Sequence, residues 1–267
     1  MINSKLVLSA AIVVGTVFGA GAVSAADLAA RPMPYAASAP VFSWTGCYVG
    51  VHGGAGVFHD QGFQSGGGVS LDLIGDRHGV GGLAGGQIGC NYQIGMLVLG
   101  IEGEGFWSGM KITIDRFDGI NGSTLAETAS IRNKWDYDVA GRFGVAFDRA
   151  LVYGKAGWVA GRFDWNSATL NCTFVCTTTQ GSATLDGLLI GIGLEYAFFN
   201  NWTAKFEYDY LGFGSKNVLF TTTCSGIFCF PSPITTNTQS VSADKHIFKV
   251  GLNYKFDWGK APVVARY

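Results

Sequence analysis

Along residues 202–210 the side chains alternate without a break. Trp202, Ala204, Phe206, Tyr208 and Tyr210 fall on one side, and Thr203, Lys205, Glu207 and Asp209 on the other. A period of two places successive side chains on opposite faces, which an extended strand does and a helix does not. The same grammar returns in 248–256, where Phe248, Val250, Leu252, Tyr254 and Phe256 oppose Lys249, Gly251, Asn253 and Lys255. In 135–148, Trp135, Tyr137, Val139, Phe143, Val145 and Phe147 oppose Asp136, Asp138, Arg142 and Asp148. Leu188, Ile190, Ile192, Leu194, Tyr196 and Phe198 form a fourth apolar face opposite Gly191, Gly193 and Glu195, and Leu97, Leu99 and Ile101 a fifth opposite Glu102 and Glu104. Weaker runs at 44–58, 80–93 and 151–165 complete the set. In the last of these, Trp158 and Arg162 share a face, which points to a bulge in that strand.

Eight strands result, and their connections alternate in length. Short links lie at 94–96, 149–150 and 200–201; long ones span 59–79, 111–132, 166–183 and 214–244. A soluble sandwich gives no reason for every second connection to be long. A membrane-crossing barrel does, with short turns on one side, long loops on the other, and aromatic girdles at the strand ends. The longest clean apolar run, 187–194, is far short of the about 20 residues a spanning helix needs. The 40 glycines also argue against a helical bundle, since each costs about 1 kcal/mol inside a helix. A net charge of −1 leaves no basic footprint for nucleic acid. The expected fold is all-β: an eight-stranded antiparallel transmembrane β-barrel with short periplasmic turns and long extracellular loops. Its apolar faces meet lipid, and lumen positions such as Asn253 are expected to tolerate polar change.

Lys5, the apolar stretch 6–22 and the small residues Val23, Ser24 and Ala25 read as a signal peptide over 1–25, cleaved after Ala25 or Ala26. A Pro/Ala linker follows over 26–43, poor in residues that pack, then the barrel over 44–256 and a C-terminal tail over 257–267.

The inward-facing charges are Glu102, Glu104, Asp136, Asp138, Arg142, Lys155, Glu195, Lys205, Glu207, Asp209, Lys249 and Lys255. An eight-stranded barrel is just wide enough for side chains to fill, so these are expected to form a salt-bridged network that plugs the lumen. No nucleophile and histidine sit together, so no enzyme is expected. The stretch Gly79-Val80-Gly81-Gly82-Leu83-Ala84 matches a dinucleotide fingerprint by letters, but it enters a strand rather than a helix, and no cofactor is expected from it. His59 and His78 flank the first long loop and are the one weak candidate for axial ligands to heme iron. His52 and His246 alternate within strands and read as structural or interfacial, and no Cys/His spacing marks a zinc site. Cys47 and Cys90 come opposite one another on the first hairpin, as a cross-strand bridge or two buried thiols. Cys172 and Cys176 share the third loop and Cys224 and Cys229 the fourth, favouring local bridges within each loop, with cross-bridges between the two loops as the alternative.

The opening run Phe42-Ser43-Trp44-Thr45-Gly46-Cys47-Tyr48-Val49-Gly50 and the closing run Val250-Gly251-Leu252-Asn253-Tyr254-Lys255-Phe256 resemble those of porin-family outer-membrane β-barrels. Within these they are similar to the alphaproteobacterial surface-antigen group, related to opacity and OmpA-type barrels. The resemblance implies location in the outer membrane and insertion by the barrel-assembly machinery, which reads a terminal aromatic residue, here Phe256. The 11 residues after Phe256 depart from that pattern. A structural or surface-interaction role follows, with outer-membrane lipid and a host or envelope ligand as partners. A narrow diffusion porin and a hemin or nutrient receptor are the alternatives.

Overall fold

The computed structural model describes residues 42–60, 78–118, 124–169, 176–226 and 234–256. The expected signal peptide, most of the linker, the tail, and Cys172 and Cys229 lie outside them. Nine strands are present: β1 Gly46–Asp60, β2 His78–Ile94, β3 Leu97–Ser108, β4 Lys111–Asp118, β5 Thr124–Phe147, β6 Ala150–Thr169, β7 Cys176–Ala197, β8 Trp202–Ser225 and β9 Ile234–Phe256. All pairings are antiparallel. β1 bonds both β2 and β9, and β3 bonds both β2 and β5, so the sheet closes into a ring of eight staves. β3 and β4 are successive segments of one stave, parted at Gly109 and Met110. Beyond that break β4 pairs with β5 alone among the described residues.

The short turns fall where expected. Gly95 and Asp148 adopt φ of +61° and +51° in two of them, a left-handed conformation that glycine, and less readily aspartate, accepts. The long connections are corrected. Much of 111–132, 166–183 and 214–244 is strand, continuing the ladder well past the membrane-crossing part. Outside lipid no apolar face is needed, so the alternation fades while threonine-rich backbone goes on pairing. The expected bulge is also moved. It lies in β5, where Lys134 is the unpaired residue between Asn133 and Trp135, opposite rather than within the strand carrying Trp158 and Arg162.

Burial is inside out relative to a soluble barrel. Val51, Ile88, Ile101, Phe143, Ile192, Phe206 and Val250 are exposed on the outer face, while charged residues are buried within. The interior is layered. Near the periplasmic turns Phe42, Trp44, Val98, Ala146, Leu151, Tyr153 and Ala197 pack together. Trp44 donates from Nε1 to the carbonyl of Asp148 at 3.1 Å and its ring meets Phe42 at 5.0 Å. The end of the expected linker is therefore part of the core: Phe42 packs. At the outer end a larger apolar cluster includes Phe58, Phe106, Met110, Phe163, Trp165, Leu185, Leu211, Phe213 and Phe220. Met110 and Ile112 turn in against Gly81 and Gly79, where an added methyl would come within 2.6 and 2.7 Å of them. The charged layer lies between.

Candidate functional site: the filled lumen and the outer rim

The alternation of β3, β8 and β9 brings Glu102, Glu104, Lys205, Glu207, Asp209 and Lys249 to one level of the interior, and β5 and β6 add Asp138, Arg142 and Lys155. Three lysines hold the centre. The Lys155 ammonium lies 3.0 Å from Glu104, 2.7 Å from Glu207 and 3.3 Å from Asp209. Lys205 lies 2.5 Å from Glu104 and 3.4 Å from Glu102. Lys249 pairs with Glu104, and with Glu207 and Asp209 at 2.7 and 2.6 Å. Every carboxylate that acid/base chemistry would draw on here, Asp138 excepted, is bound to a cation. The cluster of Glu102, Glu104 and Glu207, whose oxygens are close enough to chelate an ion, is already answered by lysine.

Toward the periplasm, Arg142 binds Glu195 at 2.7 Å, donates to the Tyr48 hydroxyl, and lies 3.9 Å from the centre of the Tyr153 ring. Tyr48 donates to Glu102 at 2.7 Å and Tyr153 to Glu207 at 2.6 Å. Glu195 also accepts from Thr203 at 2.5 Å and from Asn253 at 2.8 Å, and Asn253 in turn accepts from Gln87 at 2.7 Å. Asn253 is thus a link between two partners, Glu195 and Gln87, rather than an isolated lumen residue. Such packing needs recesses in the wall: a methyl at Gly191 would stand 1.9 Å from Asp209 Oδ1, and one at Gly193 2.3 Å from the Tyr153 ring.

Two of the anticipated lumen charges stand apart from this centre. Asp136 pairs with Lys245 within the outer apolar layer. Lys255 bonds the carbonyl of Ser43 and lies 4.6 Å from the Phe42 ring, at the periplasmic end. Asp138, at the level of the centre, is buried with neither carboxylate oxygen hydrogen-bonded among the described residues. Lys245, Tyr48, Tyr153 and Gln87 line the lumen without having been named as candidates, and His52, read as structural or interfacial, lies 2.6 Å from Gln87 there. Stepping back by twos from Lys249 along β9 reaches Lys245, so the alternation carried that signal.

Cys47 and Cys90 are directly opposed in the β1–β2 register and form a disulfide. Cys224 is disulfide-bonded too. It stands opposite Thr177, next to Cys176, in the β7–β8 register. Phe256 ends β9 on the outer face. His59 and His78 are paired across β1 and β2, their rings 4.5 Å apart and edge-on.

A family model for the outer membrane protein beta-barrel domain matches residues 17–256. The chain belongs to this family of outer-membrane β-barrels. It is similar to the 31 kDa outer-membrane immunogenic protein of Brucella melitensis, with 31% identity over 250 residues covering 91% of this chain and 97% of the relative. It also resembles the 22 kDa outer membrane protein of Rhizobium leguminosarum bv. viciae, at 28% identity over 221 residues, 81% of this chain and 80% of the other. Among solved structures, the outer membrane protein OprG of Pseudomonas aeruginosa aligns over 80% of this chain and 98% of its own, with a TM-score of 0.46 and 11% identity. This outer-membrane β-barrel is accordingly a protein of the cell outer membrane, whose exposed aromatic face is its lipid face.

Proposed function

We propose that this outer-membrane β-barrel is a non-catalytic structural protein. Its closed lumen acts as a rigid post, and its extended strands display surface to a host or envelope ligand. The observation that carries this reading is the charged layer: Lys155, Lys205 and Lys249 with Glu104 and Glu207 fill the middle of the barrel, each side chain 0% exposed. Apolar clusters above and below add two further closures. Insertion by the barrel-assembly machinery through Phe256 belongs to the same reading. The test is planar-bilayer recording of the purified, refolded chain. Little or no conductance is expected, and stable nanosiemens-scale openings would favour a narrow diffusion porin instead.

A further inference from the structure

Three of the chain's four histidines meet at one place on the outside of the barrel. His78 on β2, His59 on β1 and Asp244 on β9 stand side by side across three neighbouring strands, because the register pairs His59 with both His78 and Asp244. His246 lies two residues further along β9 on the same face. His59 Nδ1 is 3.4 Å and His246 Nε2 3.6 Å from Asp244 Oδ2. One donor atom from each of the three residues falls within 4.8 Å of the others.

We propose that His59, His246 and Asp244, with His78 beside them, bind a divalent transition-metal ion of the Zn²⁺ type at the outer rim of the β1–β9 seam. The donor chemistry fits: two imidazoles and a carboxylate are a zinc set, with bonds of about 2.0–2.1 Å that place tetrahedral ligands about 3.3 Å apart. Two of the three edges are already near that length. The ring of His246 is also oriented for it. Its Nδ1 is hydrogen-bonded to the Tyr208 hydroxyl at 2.7 Å, which leaves Nε2 facing the carboxylate, as outer-shell partners of metal-bound histidines do. Exposure of 31% at His59 and 37% at His246 leaves a path for an ion to enter. A heme iron suits the geometry less well. Ring centres 4.5 Å apart are closer than the about 6 Å that axial bonds of about 2 Å on both sides of a porphyrin would set. Ligands to one side of a bare ion need no such gap.

The site joins the first strand to the last, so an ion there ties the seam at which the barrel closes. The experiment uses the full refolded chain in detergent micelles, titrated with Zn²⁺ against a chromophoric chelator. Folding of each variant is checked by its heat-dependent mobility on gels. About one equivalent is expected to bind the parent chain and to raise its unfolding temperature, as binding to the native state alone must. Tyr208→Phe is expected to weaken affinity about 10- to 100-fold, and His59→Asn with His246→Asn to abolish it along with the temperature shift. Absence of Zn²⁺ binding by the parent chain would overturn the proposal, as would full affinity in the folded double variant or a preference for hemin over Zn²⁺. Should the double variant fail to fold, the parent titration and Tyr208→Phe decide.

Discussion

Lys245 of β9 and Asp136 of β5 reach each other across the full width of the barrel, Nζ to Oδ1 at 2.6 Å, although their strands stand four places apart in a ring of eight. The pair is walled by aromatic rings, with the ammonium 5.0 Å from Phe163 and 5.1 Å from Phe213. Asn133 donates to the same carboxylate at 3.2 Å. An ion pair set in an apolar layer behaves as a cross-brace.

Removing one end of that brace should be costly. Lys245→Met leaves Asp136 charged and buried, and a loss of about 3–5 kcal/mol is expected. Lys245→Met combined with Asp136→Leu should recover most of it, because the desolvation penalty goes with the second charge. Urea titrations of the refolded chain in detergent, followed by tryptophan fluorescence, measure both. A double variant no better than the single would show that the brace is not an isolated pair.

Asp138 should behave in the opposite sense. It is buried without a hydrogen bond to either oxygen among the described residues, so Asp138→Asn is expected to raise stability by about 1–3 kcal/mol. Glu104→Gln, which takes a charge from Lys155, Lys205 and Lys249 together, is expected to lower it. The two shifts of the urea midpoint should differ in sign.

The lipid face can be read by depth. Val250→Arg, on the exposed face of β9, is expected to cost about 2–4 kcal/mol near the bilayer midplane. Thr236→Lys, exposed on the outer part of the same strand, should cost almost nothing. Equal losses in lipid vesicles would mean the membrane is placed wrongly along β9.

A fourth expectation concerns the recess at Gly193. Valine there would displace the Tyr153 ring, which stacks on Arg142 and donates to Glu207. Overpacking of this kind costs about 1–3 kcal/mol. If Gly193→Val unfolds at the parent midpoint, the ring has room that the structure does not give it.

The barrel was legible in the sequence because lipid imposes a periodic demand. Leu188, Ile190, Ile192 and Leu194 had to be apolar while Glu195 faced inward, and that contrast survives in the letters alone. Where lipid ends, the demand ends. Thr177 to Thr179 pair with Cys224 to Thr222 as regularly as any membrane residue does, yet nothing in their side chains distinguishes ladder from loop. The residues lining the lumen could be named from alternation, but their partners could not, since Lys205 meets Glu104 from a strand 101 residues away. Of the histidine cluster, His59 and His78 could be brought together from the first hairpin, but their meeting with His246 and Asp244 was illegible for the same reason. His59 and His246 come from the two ends of the barrel, and only closure of the ring makes them neighbours.

β8 and β9 run for 24 and 23 residues, where about 9–11 suffice to cross a bilayer. The surplus projects outward as paired ribbon rather than coil. On such a ribbon the backbone ladder is indifferent to most outward side chains, so Thr221, Thr223, Thr236 or Thr238 can be exchanged while the scaffold beneath keeps its shape. Surface chemistry and surface form become separately adjustable. A chain built this way can change what it presents to its surroundings through single substitutions and leave the presenting framework, and the barrel that roots it, as they were.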